Sequence, residues 1–249
     1  MSAVLTREKL VNVVISYGCR TTPISAIKPQ ASRDICSKMQ ELWADLFERE
    51  MPAGTFSELQ KQQQGVLFAL QKSIYTQVGL AEISTLQIHG DSFTIFIPRR
   101  FDRNEVPLYP NDFWLKGTAN RDAVAAILAL NNLLGNSPHR AGKIYEMLFA
   151  PVNEDEKNEL FKSLCPNLGE RLVEMQGMVT FVRNHKWSDF NMLIQVSAPM
   201  IQPVVTVKVD INNRDMRRSL EPSDMQKVYS FADELMPDWF FGLTGETGP

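Results

Sequence analysis

Histidine and cysteine are scarce in this sequence, three of each in 249 residues. The cysteines, Cys19, Cys36 and Cys165, are odd in number and far apart. That excludes a disulfide framework and the paired spacing of a zinc site, and it fits a reducing cytoplasm. His89, His139 and His185 stand in no metal-protease or Cys-His spacing, so neither a metal nor a cofactor is expected. Charge of neither sign prevails: the net charge is −3 and the pI about 5.7. A basic field over the whole surface is therefore excluded, although a local basic patch is not. No apolar run approaches the ~20 residues needed to span a bilayer. The start, MSAVLTREKLVNVVIS, lacks a signal-peptide core with a cleavage site. The expectation is a soluble cytoplasmic protein with no membrane partner.

Catalytic motifs are missing as well. No Gly-x-Ser-x-Gly elbow is present. Gly135 and Gly142-Lys143 imitate a phosphate loop and fail it. Six residues separate the glycines where about four are needed, Ile144 replaces the magnesium-holding Ser or Thr, and Lys143 opens a strand. A cysteine nucleophile needs an activating base, which the surroundings of Cys19, Cys36 and Cys165 do not supply in sequence. No catalytic residue is nominated, and the chain leans towards a non-enzyme.

What the chain does have is one order of elements that occurs twice. In residues 9–134, the β-branched run Leu10 to Gly18 predicts a strand. A helix follows over 32–50, where Ile35, Met39, Leu42 and Leu46 form a stripe, Ser32 or Asp34 caps, and Pro52 and Gly54 stop it. Then come GVLFALQKS (65–73) and a pair of strands within 82–100 that turn at Gly90-Asp91. Residues 121–134 favour helix, with strand as the alternative, and Gly135 can end it. From 143 to 240 the order restarts with the strand KIYEMLFAP (143–151). A short helix follows, opened by Asn153 with Glu156 in the manner of a capping box. Three strands come next, at 171–183, 190–199 and 204–212. A last helix is capped by Ser223 with Gln226, striped by Val228, Ala232 and Leu235, and ended by Pro237. The fold class is α+β: two βαβββα units, 1–135 and 136–249, with antiparallel sheets that can join edge to edge into one curved sheet, helices on one face. The segment 101–119 reads as an exposed connection.

Binding residues are nominated from this layout. Arg99, Arg100 and Arg103 follow the third strand of the first unit; Arg214, Arg217 and Arg218 follow that of the second. Ser137 to Lys143, with Arg140 and Lys143, reads as a compact basic turn. Tyr109, Phe113 and Trp114 in the connection have the character of interface anchors. The arginine clusters and the turn also have a plain reading as solvated surface, the clusters with salt bridges to Asp102, Glu105 and Asp215, and the aromatic connection can equally fold back as a lid. Glu146 and Asp210 are charges in otherwise apolar strands, explained by solvent on the sheet face without helices.

The strand NVVISYG, the helix MQELWADLFEREMP and the ending VKVDINN, helix, WFFGLTG together resemble a sporadically distributed bacterial family of about this length. No activity is established for that family, so the resemblance implies no site. Its distribution implies a gene carried in variable operons such as defence clusters. The leading expectation is a non-enzymatic protein-interaction module whose partner is encoded nearby. The alternatives are a nucleic-acid binder using the basic rims, and a small-ligand-binding or hydrolytic enzyme with a pocket around Glu146, Asp210 or a histidine.

Overall fold

The computed structural model describes residues 5–46, 55–58, 66–76, 79–100, 116–164, 172–175 and 178–244. The first half runs β1 (Leu10–Thr21), α1 (Pro29–Leu46), β2 (Thr55–Glu58), β3 (Val66–Thr76), β4 (Gly79–His89), β5 (Ser92–Arg100) and α2 (Thr118–Leu134). The second half runs β6 (Pro138–Phe149), α3 (Glu154–Leu164), β7 (Leu172–Met175), β8 (Met178–Lys186), β9 (Phe190–Pro199), β10 (Val205–Asn213) and α4 (Pro222–Thr244). The expected strand, helix, three strands and helix are present in both halves. Each half adds one four-residue strand after its first helix, β2 and β7.

All ten strands form one antiparallel sheet in the order β2-β3-β4-β5-β1-β6-β10-β9-β8-β7. The order is palindromic about the β1–β6 seam, where Ser16 faces Ile144 at the middle of both strands. Pairing β1 with β6 hides the edge that each half would otherwise present.

Alternation along the central strands sets the two faces. Val13, Ile15, Tyr17 and Cys19 on β1 are buried, as are Ala141, Lys143, Tyr145 and Met147 on β6, and Val205, Val207, Val209 and Ile211 on β10. These point under the helices, against Ile35 and Met39 of α1, Ala123, Ile127 and Leu130 of α2, and Met225, Val228, Tyr229, Ala232 and Met236 of α4. Burying a Val or Ile side chain contributes about 1.5–3 kcal/mol, so this face holds the sheet to its helices. The opposite, open face carries Arg20, Arg140, Glu146 and Asp210. The solvent-side placement expected for Glu146 is met, since it is exposed. Asp210 stands on the same face, paired with Arg140.

Several boundaries differ from the sequence reading. β1 continues past Gly18 to Thr21, which places Cys19 inside it. α1 begins at Pro29 rather than near Ser32, with proline in the first turn, where its missing N–H is not needed. Its expected stop at Pro52 and Gly54 lies outside the described residues. Residues 171–183 form two strands, not one. Pro237 does not end α4; the helix continues to Thr244, and only the Asp233 carbonyl loses its helical donor. The start of α4 is closed by Asp224, whose Oδ2 accepts the Glu221 N–H, not by Ser223 and Gln226. The largest difference is Ser137 to Lys143. It is no turn: Pro138 onward is strand β6.

Other local signals hold. α2 is helical and closes on Gly135 at φ 67°, ψ 32°, the left-handed conformation that glycine adopts without penalty. Asn153 and Glu156 form a reciprocal box at the start of α3: the Glu156 N–H donates to Asn153 Oδ1 at 2.9 Å and the Asn153 N–H to Glu156 Oε2 at 3.0 Å. Lys9 completes it by pairing with Glu156.

Candidate functional site

The nominated residues separate into several places. Arg99 and Arg100 close β5, opposite Val13 and Asn12 near the start of β1. Arg214, Arg217 and Arg218 follow β10, whose last paired residues, Ile211 and Asn212, meet Lys143 and Gly142 in the first half of β6. Antiparallel pairing therefore puts the two clusters at opposite ends of the sheet, roughly 25 Å apart by strand rise. Arg103, Tyr109, Phe113 and Trp114 lie outside the described residues. Arg140 sits on the open face of β6. Lys143, nominated for a basic turn, is instead fully buried under the helices. The reason is register: Lys143 falls on the core-facing alternate of β6, two residues before Tyr145.

The Arg214 cluster lines a cavity. A cleft of ≈ 790 Å³ opens between the β8–β9 turn, the β10–α4 loop and the first turns of α4. Arg214, Arg217, Arg218 and Lys227 line it together with Asp189, Asp215 and Asp224. The cations are held by short local contacts. Arg214 Nη1 donates to the Trp187 carbonyl at 3.1 Å. Arg217 grips Asp215 through Nε at 3.0 Å and Nη2 at 3.2 Å. Arg218 Nη1 donates to Asp224 Oδ2 at 2.7 Å. These contacts hold the Asp215 carboxyl down at about 2 and lower that of Asp224, so both stay charged. The guanidinium groups of Arg217 and Arg218 are exposed, where solvent screens such pairs, so an incoming carboxylate can compete for them.

The same cleft has apolar anchors. Phe190 lines it and stacks on Phe231 of α4, ring centroids 4.3 Å apart. Trp187 meets Phe231 edge-on at 5.3 Å and stays partly exposed. Met216 in the lining is 49% exposed.

A second cluster is buried. Lys143 Nζ donates to Asp233 Oδ1 at 2.6 Å and to Asn120 Oδ1 at 3.0 Å. Asn120 Nδ2 donates to Asp233 Oδ2 at 2.6 Å, and Tyr17 OH to Asn120 Oδ1 at 3.0 Å. The ammonium also lies over the Tyr17 and Tyr145 rings, 5.3 and 5.6 Å from their centroids. Burial raises the Asp233 carboxyl, outweighing the Lys143 charge and the hydrogen bonds from Lys143 and Asn120 that lower it. This group ties α2 and α4 to the two central strands. Asp233, Asn120 and Tyr17 were not legible in sequence. The one available signal was a carboxylate lying directly beside Ala232 in the apolar stripe of α4.

No group of three His, Cys, Asp or Glu is placed to hold a metal among the described residues. Cys19 is buried and its thiol is pushed up to about 12, the wrong direction for a nucleophile. No helix among the described residues is long and apolar enough to cross a membrane.

No family model matches the chain, and no curated protein does. Among solved structures it is similar to the di-domain ARO/CYC StfQ from the steffimycin biosynthetic pathway, at 9% identity over 90% of this chain and 95% of that one. The TM-score is 0.22, a likeness that carries nothing about what this chain does.

Proposed function

We propose that the protein is a non-enzymatic binding module whose cleft beside the β10–α4 loop receives an acidic segment of a protein partner encoded nearby. The observation that carries this reading is the lining of that cleft. Arg, Trp, Phe and Met are the residue types enriched at protein interfaces, and here Arg214, Arg217, Arg218, Phe190 and Met216 line one concavity, with Trp187 beside it against Phe231. Its volume of ≈ 790 Å³ suits side chains of a docked segment. The guanidinium forks suit carboxylates, which they can take in two parallel hydrogen bonds. A cytoplasmic location accompanies this reading, and the free thiol of Cys19 is compatible with it.

The test is recovery of tagged wild-type protein and the variant Arg217→Glu/Arg218→Glu from nuclease-treated host lysate. A stoichiometric acidic partner retained by the wild type and lost by the variant is the expected result. Equal recovery by both refutes the cleft as the site. Recovery abolished by nuclease would transfer the arginines to a nucleic-acid role.

A further inference from the structure

On the open face of the sheet, the β1–β6 seam contains two glycines directly opposite each other, Gly18 and Gly142. Two missing side chains at facing positions leave a depression of ≈ 170 Å³ on that face. Its floor is the glycine pair. Ser92 and Thr94 of β5 wall one side and Asp210 of β10 the other; Ile144 bounds one end and Arg20 with Arg140 the other.

The arginines are the unusual element. Arg20 and Arg140 face each other across the seam in register, one pair beyond the glycines. Like charges directly opposite destabilise an antiparallel pair. Asp210 relieves one of them: Arg140 Nη2 donates to Asp210 Oδ2 at 3.0 Å, and Asn212 Nδ2 holds Asp210 Oδ1 at 3.0 Å. Arg20 is exposed and has no carboxylate partner among the described residues. One uncompensated guanidinium, a second guanidinium beside it and two hydroxyl side chains therefore surround a small hollow floored by bare backbone.

We propose that this hollow binds a phosphate-type oxyanion, either inorganic phosphate or the phosphoryl group of a small monoester. The chemistry matches the lining. A tetrahedral oxyanion accepts from several donors at once, planar guanidinium groups supply donors in pairs, and the Ser92 and Thr94 hydroxyls can turn to donate. A bound anion also removes the repulsion between Arg20 and Arg140. Asp210 faces the anion too, and its pairing with Arg140 and Asn212 keeps its charge turned towards those donors. The hollow shares no lining residue with the cleft proposed for the protein partner, so each assignment can fail without the other.

The deciding variant is Gly18→Val. A Cβ at Gly18 meets only Ile144 Cδ1 at 3.8 Å and the Gly142 carbonyl at 3.9 Å, ordinary contact, and valine suits a strand better than glycine does. The hollow is filled while the strand is kept. Gly142 is unsuitable for the purpose, since a Cβ there would meet Asn212, Asp210 and Ile211 atoms at 3.2 Å. Arg20→Ala is the second variant, because it leaves the hollow open and removes the free cation. Calorimetric titration of the full chain at low ionic strength, with inorganic phosphate and with phenyl phosphate, reads the result. Saturable binding of phosphate by the wild type, weakened about tenfold or more in both variants, is expected. Binding of phenyl phosphate in addition assigns the hollow to phosphorylated ligands, and its exclusion assigns it to the free ion. Binding unchanged in Gly18→Val, or no saturable binding of either probe to the wild type at millimolar concentration, overturns the proposal.

Discussion

Lys143 is the residue on which the molecule turns. Tyr17 and Tyr145 are each the eighth residue of their strand, β1 and β6, and they occupy equivalent places about the seam. The residues facing them are Lys143 and Ile15, each the sixth of its strand. Along the core face of β1 and β6 the matching of apolar with apolar is thus broken at the sixth position, where the first half has isoleucine and the second has a lysine with Asp233 and Asn120 around it. Breaking a buried pair from one side typically costs ~3–5 kcal/mol, because the remaining charge is stranded. Lys143→Met should therefore lower the unfolding free energy by about that amount at neutral pH, measured by urea denaturation. Adding Asp233→Leu should restore most of the loss; an additive double variant would mean that the two groups are not coupled. The sign with pH follows from Asp233. Its folded carboxyl is raised, so the native state holds the proton more tightly than the unfolded chain does. That contribution is fully present below the ordinary carboxylate value and is lost as pH rises through the folded value. Asp233→Asn should remove this part of the stability-versus-pH curve and leave the opposite limb, set by the lowered Asp215, Asp224 and Glu156, in place.

At the scale of the element, the legible features were those whose cause is local. The box at Asn153 and Glu156 and the glycine after α2 depend on a few neighbouring residues, and both were readable. Gly135 has nothing within 4 Å of an added Cβ, so its requirement is purely conformational. Gly135→Ala should cost about 1 kcal/mol in thermal or urea unfolding, and Gly135→Asn less, because asparagine tolerates the left-handed region. Equal stability of the alanine variant would show that the turn relaxes. Where the cause is distant, the sequence misled. β6 hid its first residues because a lysine occupies a core position and glycine and arginine occupy the other face, so no apolar alternation marks Pro138 to Lys143. β2 and β7 are too short to show a period at all. Pro237 reads locally as a stop, yet the helix passes through it, since proline removes a single helical N–H. Of the cleft, the arginines of the β10–α4 loop and their partner Asp215 were visible; Asp189, Phe190 and Lys227 join them through tertiary contact alone.

At the scale of the molecule, joining two sheets at β1 and β6 has a consequence for how the chain folds. The seam runs the length of both strands, and the buried cores of the two halves form one cluster. Asn120 of the first half also meets Lys143 and Asp233 of the second. Separating the halves between Leu134 and Pro138 would open a twelve-residue edge on each, β1 on one piece and β6 on the other. Long unpaired edges recruit other strands. The intact chain should therefore unfold in one cooperative transition, with probes in the two halves coincident. The pieces 1–135 and 136–249, made separately, should self-associate or precipitate, and when co-expressed should purify as a 1:1 complex. Size-exclusion chromatography with light scattering reads both states. A piece that stays monomeric and unfolds cooperatively alone would show that its half is a complete domain, and that the β1–β6 seam is a docking contact between two such domains rather than the centre of one sheet.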